Sequence, residues 1–276
     1  MNTKIFLSLL FIISSITSFA QRGEDYTTLT EDGAWCWFSD PRSVYHKDKT
    51  YTGFVNSKGE IVVASKDHKT NKITTNVLYK KLEVDDHTNP SILILPDGRL
   101  MVFFTKHGGT IYYTTSQSAE DISIFSPVDS LEFGKMLCYT NPVMLSEEDN
   151  RIYIFYRGGY DWKPSFVTSD DLGKTWSKPQ TFVSKKINQK FNRPYTKVVS
   201  DGKSSIHFAF TDGHPREENH NSIYYLKYEK GKFYDATGKK IGSMKKLPIV
   251  QETIPKAFDG VANNQRAWIW DIALNE

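Results

Sequence analysis

Apolar residues in this chain come in short runs of strand length, cut apart by turn residues. Residues 92–95 and 100–104 are two such runs, with Pro96-Asp97-Gly98 between them. Proline presets φ and glycine accepts a positive φ, so the three residues make a turn and the stretch a β-hairpin. The frame recurs. Thr140-Asn141-Pro142 opens an apolar run that a polar turn separates from Arg151-Ile152-Tyr153-Ile154-Phe155-Tyr156-Arg157. Arg193-Pro194-Tyr195-Thr196-Lys197 leads through Asp201-Gly202 to residues 206–212, and a weaker copy starts at Asp40-Pro41-Arg42.

Pro41, Pro90, Pro142 and Pro194 mark the repeat at separations of 49, 52 and 52 residues. A unit of about 40–50 residues made of strands and turns predicts a β-propeller, one four-stranded blade per repeat. The expected class is therefore all-β. The first blade holds residues 51–55, 60–65 and 74–79. The second runs from about residue 82 to 114, the third over 136–182 and the fourth over 191–228. Residues 229–247 carry Gly231, Gly238 and Gly242 and read as turns. Residues 33–38 and 268–273 read as aromatic strands, the latter in a fifth unit over 248–276. Five units either close on themselves or form an incomplete part of a larger ring. An incomplete ring would leave strand edges exposed.

Apolar residues make up 39% of the 276, ample for a core and too many for a disordered chain. Formal charge is +3, so no strong field suggests a nucleic-acid partner. Lys240, Lys245 and Lys246 cluster, and read as a solvated face. Residues 1–20 have the parts of a secretory leader: Lys4, an apolar stretch over 5–16, then Ser18-Phe19-Ala20 before Gln21. The apolar stretch is too short to span a bilayer. The expectation is a leader over 1–20 and a secreted or periplasmic propeller domain over 21–276, monomeric, with no membrane span. Cys36 and Cys138 precede their landmark prolines at similar distances, so they are either a disulfide or two buried thiols.

Ser169-Asp170-Asp171-Leu172-Gly173-Lys174-Thr175-Trp176 matches Ser-x-Asp-x-Gly-x-Thr-Trp. It resembles the Asp-box of sialidase-type (BNR) propellers. Asp171 can accept amides of its own turn, Gly173 supplies the positive φ, and Trp176 packs between sheets. Such a turn is a staple, which makes its carboxylates poor catalytic candidates.

Chemistry gathers elsewhere. His87 stands before the first strand of its hairpin and His107 after the second, so both can lie at one end of a sheet. Arg157 ends the matching hairpin of the next repeat, and Tyr139 precedes Asn141-Pro142 much as His87 precedes Asn89-Pro90. Equivalent ends of innermost strands converge on one mouth of a propeller. His87, His107, Tyr139 and Arg157 are thus expected to meet as catalytic groups, with Asn89, Arg193, Tyr195 and Lys197 contacting substrate. Two imidazoles, a phenol and a guanidinium suit elimination beside a carboxylate. The guanidinium neutralises a uronate and holds the developing enolate charge, a base removes the C5 proton, and an acid protonates the departing oxygen. That chemistry requires no cofactor, and a structural metal ion is compatible with it. Hydrolysis would use two placed carboxylates, for which Asp40, Asp85, Asp86, Asp212 and Asp271 are available. Asp212-Gly213-His214-Pro215 with His220 reads as a polar turn, or as a zinc loop completed by Cys36 or Cys138.

Gly33-Ala34-Trp35-Cys36-Trp37-Phe38-Ser39-Asp40-Pro41-Arg42, Asp86-His87-Thr88-Asn89-Pro90, Asn192-Arg193-Pro194-Tyr195-Thr196-Lys197, Phe210-Thr211-Asp212-Gly213-His214-Pro215 and Ala267-Trp268-Ile269-Trp270-Asp271-Ile272-Ala273 together resemble BNR-4-type repeat proteins. That family is secreted by polysaccharide-degrading bacteria and includes seven-bladed ulvan lyases. The resemblance implies a site of two histidines about twenty residues apart, matched by His87 and His107, with a tyrosine and an arginine from the next blade. Tyr139 and Arg157 match best, and Tyr195 resembles a further substrate-contacting tyrosine. It also implies an acidic, ulvan-like polysaccharide as substrate and about five blades of a seven-bladed ring. A sialidase-type hydrolase and a noncatalytic glycan-binding remnant are the alternatives.

Overall fold

Four antiparallel sheets follow one another along the chain in the computed structural model, which describes residues 28–134, 136–159, 162–185 and 194–275. The first is β1 (Ser43–His46), β2 (Lys49–Val55), β3 (Ile61–Asp67) and β4 (Ile73–Tyr79). The second is β5 (Ser91–Ile94), β6 (Leu100–Thr105), β7 (Ile111–Thr115) and β8 (Asp129–Leu131). The third is β9 (Cys138–Leu145), β10 (Arg151–Arg157), β11 (Pro164–Ser169) and β12 (Gln180–Thr181). The fourth builds on β14 (Thr196–Ser200), β15 (Ser205–Thr211) and β16 (Ile223–Glu229). Each sheet is a meander of sequential strands, as a propeller blade is.

The sheets pack face to face because successive side chains of a strand point to opposite faces. Ile92, Val102 and Phe104 of the second sheet join Tyr51, Ile61 and Val63 of the first. Their alternate neighbours Leu93, Met101 and Phe103 join Ile152, Ile154 and Val167 of the third. The other face of the third sheet meets Ile206, Phe208 and Leu226 of the fourth through Tyr153, Phe155 and Phe166. A cavity of about 570 Å³ is lined by residues of β5, β9 and β14 and by Ser43 at the head of β1. This is the packing of consecutive blades around an axis, so the all-β propeller class holds.

Three expectations change. Residues 33–38 form no strand, only a bridge from Ala34 to Val55 at the end of β2. Their backbone instead crosses between the inner strands: the Cys36 amide donates to Asn89 Oδ1, Asn141 Nδ2 donates to the Phe38 carbonyl, and Lys197 Nζ donates to the Trp37 carbonyl. Residues 268–273 carry no strand either; Trp268 packs edge-on to Phe38 and Trp270 stacks on Trp37. Residues 229–247 are more than turns, holding β17 (Lys232–Tyr234) and β18 (Lys240–Ser243) on the edge of the fourth sheet. The expected fifth unit supplies β19 (Ile249–Val250), paired in parallel with β13 (Val183–Ser184), and β20 (Lys256–Phe258), which extends the fourth sheet.

The Asp-box forms as expected. Ser169 Oγ, the Thr175 amide and Thr175 Oγ1 all donate to the Asp171 carboxylate, and Gly173 has φ +85°. Hydrogen bonds from Thr175, chiefly, hold the Asp171 carboxyl down at about 2. Trp176 lies edge-on to Phe103 and Tyr113, stapling the third sheet to the second. Among the described residues, no helix is long and apolar enough to cross a membrane. The expected leader, like Arg193, lies outside the described residues.

Candidate active site

Asp85 caps a single 3₁₀ turn, Asp86–Thr88, by accepting the His87 amide at 2.8 Å. The turn projects His87 at the head of β5, and His107 follows the end of β6, so the hairpin brings both rings to one end of the second sheet. They stack 3.6 Å apart at their centroids, 12° from parallel. One carboxylate serves both: His87 Nδ1 lies 2.5 Å from Asp85 Oδ1 and His107 Nδ1 lies 2.9 Å from Asp85 Oδ2. Asp86 Oδ1 is a second carboxylate oxygen within ion-pair distance of His87 Nδ1, at 2.8 Å. Burial would raise the Asp85 carboxyl, but the His87 amide and the two imidazoles outweigh it and hold it at about 2.

The third sheet supplies the other half. The pairing of β9 with β10 slips between Phe155 and Arg157, leaving a bulge with Tyr139 at φ +61°. A left-handed non-glycine residue costs about 1–2 kcal/mol and persists only where its surroundings hold it. Here the bulge re-aims the Tyr139 ring onto His87, with centroids 5.3 Å apart. On the other side the Arg157 guanidinium carbon sits 4.4 Å above the Tyr139 ring. Arg157 also faces Tyr195 and Trp162, and its Nη1 donates to the Tyr195 hydroxyl at 2.6 Å. It is 6% exposed, and its Nε has no hydrogen-bond partner among the described residues. A buried guanidinium with an unpartnered Nε is a concentrated positive charge that its protein surroundings leave incompletely paired. Burial pushes the Tyr139 hydroxyl far above its ordinary range, against the opposing pull of Arg157, so at neutral pH it keeps its proton.

The structure thus brings together His87, His107, Tyr139, Arg157 and Tyr195. It places two other expected contacts differently. Asn89 is buried, with its carbonyl oxygen taken by the Cys36 amide. Lys197 is 1% exposed and bonded to Asp40 and the Trp37 carbonyl. Their polar atoms hold the central segment rather than facing the open rings. Of the carboxylates open to the hydrolytic alternative, Asp40 and Asp271 both line the cavity of about 570 Å³, away from the row of rings. Asp40 is bonded to Lys197 and Arg42, and Asp212 takes the Ser222 amide and the Tyr224 hydroxyl. Asp85 and Asp86 meet on one side, at the same His87 nitrogen. Cys36 and Cys138 are free buried thiols, so no disulfide forms. The zinc-loop reading finds no support among the described residues: the one cluster of three potential ligands within 4.8 Å is Asp85, His87 and His107. Near-parallel imidazole planes converge poorly on one ion, since an ion lying in one plane stands outside the other.

Sequence reasoning passed over two residues. Asp85 enters the sequence reading only as one of five carboxylates open to hydrolysis, although an Asp two residues before a His is a recognisable cap. Asn141 shares its Asn-Pro pair with Asn89, and that repetition signals its matching role.

An all-β protein of consecutive blades, with titratable groups gathered where the second and third meet, is the class this geometry defines. The chain belongs to the BNR repeat-containing family, whose signature it matches over residues 49–270. A curated relative, an ulvan lyase of Alteromonas sp. (strain LOR), is 26% identical over 174 residues, which are 53% of this chain and 34% of that protein. Among solved structures, a PL25 ulvan lyase bound to -[GlcA(1-4)Rha3S]- superposes with a TM-score of 0.65 at 16% identity, covering 84% of this chain and 61% of that one. The polysaccharide lyase Uly1 gives 0.58 at 12% identity, over 88% and 64%. These structural likenesses show the fold, and the chain spans only part of each relative's length.

Proposed function

We propose that this chain carries the elimination site of a secreted polysaccharide lyase acting on uronate-containing glycans of the ulvan type, with alternating rhamnose and glucuronate. The observation that carries the reading is the continuous row His107–His87–Tyr139–Arg157. Arg157 supplies the buried cation for the uronate carboxylate, which acidifies C5 and holds the enolate charge. An imidazole Nε2 at the open end takes the C5 proton. The electron pair forms the C4–C5 double bond, the C4–O bond breaks, and the Tyr139 hydroxyl protonates the leaving oxygen. Proton return from the imidazole to Tyr139 resets the site. Tyr195 orients Arg157, while Asn89 and Lys197 act behind the site. The glycan named with the PL25 relative supports the substrate class. Residues 1–20 serve as the leader in this reading, and sequencing of the exported protein would begin at Gln21.

The test is incubation of the folded chain with ulvan, following the ultraviolet absorbance of the unsaturated uronate. Rising absorbance with new reducing ends supports elimination. Reducing ends without the chromophore would mean hydrolysis, and saturable binding without product a noncatalytic propeller.

A further inference from the structure

We infer that Asp85 is a positioning residue that sets the tautomers of both imidazoles, and that His107 depends on it alone. Each Nδ1 points at its own oxygen of the Asp85 carboxylate. An ionised carboxylate only accepts, so both Nδ1 atoms carry hydrogen and both Nε2 atoms are left as bases. The two rings are not equivalent. His87 Nδ1 bonds the Asp85 oxygen that its own backbone amide also holds, and has the Asp86 carboxylate within ion-pair distance, whereas the single carboxylate within reach of His107 Nδ1 among the described residues is Asp85. Glu83 is close to His107 but is engaged with its backbone amide. From the third sheet the facing groups are Tyr139 and, behind it, Arg157, neither of which contacts His107 Nδ1.

Asp85→Asn separates this role from folding. Asparagine caps a helical turn as well as aspartate. The His87 amide fixes which way it sits, holding Oδ1 where Asp85 Oδ1 now accepts. The amide nitrogen then replaces Oδ2 and donates toward His107 Nδ1. His107 must give up its Nδ1 hydrogen and carry it on Nε2, while His87 keeps its own because the retained Oδ1 still accepts from its Nδ1. In turnover, which rests on the lyase reading, Nε2 of His107 is thereby lost as an acceptor.

The experiment is long-range nitrogen–proton NMR on the full chain with labelled histidine, at a pH where the rings are neutral. His87→Ala and His107→Ala assign the signals. Wild type is expected to show both rings as Nδ1–H, and Asp85→Asn to show His107 alone switched to Nε2–H. Asp86→Asn, the control, leaves His107 unchanged. An unaltered His107 tautomer in Asp85→Asn overturns the inference. On ulvan, Asp85→Asn is expected to lower kcat about 10²–10⁴-fold with KM little changed. A switched tautomer with undiminished kcat would overturn the positioning role. A wild type that makes no product would end the lyase reading instead, and the tautomer result would still decide the role of Asp85.

Discussion

Arg157 Nη1 donates to the Tyr195 hydroxyl at 2.6 Å, tying the end of β10 in the third sheet to the residue before β14 in the fourth. The cation is therefore held from two blades while it stacks on Tyr139. Replacing it by a neutral side chain of similar volume separates its two contributions. Arg157→Met is expected to change stability little, because a buried cation recovers little net energy from partial pairing. Activity should fall about 10²–10³-fold, the scale for losing one charge-stabilising donor. Urea unfolding beside ulvan turnover gives both numbers.

The stacked histidines carry the open end of the site. His87→Ala and His107→Ala should each cut product formation about 10²–10⁴-fold, the span of general acid–base catalysis. Both rings are partly exposed, so the folded state should survive either change, as far-UV circular dichroism would verify. Undiminished absorbance of unsaturated product in both variants would remove the histidines from the chemistry.

Acid should uncouple the same cluster. The Asp85 carboxyl is held at about 2, below the ordinary value of about 3.9. A depressed carboxyl stabilises the fold above its unfolded value, and that contribution disappears as pH falls from about 4 toward about 2. Asp85→Asn has no such group to protonate. Its unfolding free energy should decline less over that interval than the wild type's, measured by denaturant titration at several pH values.

Far from the site, Glu148 joins the third and fourth sheets. Its two oxygens accept the Tyr153 hydroxyl at 2.6 Å and the Tyr228 hydroxyl at 2.7 Å, and the hydroxyls lie 3.1 Å apart. Tyr228→Phe should cost about 1.5–3 kcal/mol, the range for a hydrogen bond to a charged group. Tyr153→Phe added to it should be non-additive, because all three groups share one network.

The thiols should be silent while the protein is folded. Burial pushes Cys36 up to about 11 and Cys138 up to about 12, and only the thiolate reacts. A maleimide at pH 8 should label neither until denaturant is added, after which mass spectrometry should find both modified.

Much of this was legible in the chain. The spaced prolines gave the blades, and residues 151–157, read as a strand, form β10 over the same span. The Asp-box declared its own hydrogen bonds. Hairpin ends placed His87 with His107, because a hairpin of matched strands leaves no other choice. Tyr139 could be placed near them but not aimed, since its aim comes from a bulge whose positive φ no local residue announces. Residues 33–38 misled for a related reason. Their aromatic run has strand propensity, but Asn89, Asn141 and Lys197 engage its backbone, and those side chains approach only once the sheets have packed. The same event buries Asn89 and Lys197, which in the sequence looked open to substrate.

The partners of residues 36–38 lie 53, 103 and 160 positions further along the chain. Phe38 in turn supports Tyr139 and Tyr195 from beneath. A chain emerging from the ribosome would therefore hold its histidine hairpin long before the floor under the phenol exists. Competence would then wait on Lys197, whose bonds to the Trp37 carbonyl and Asp40 tie the segment before β1 to the fourth sheet.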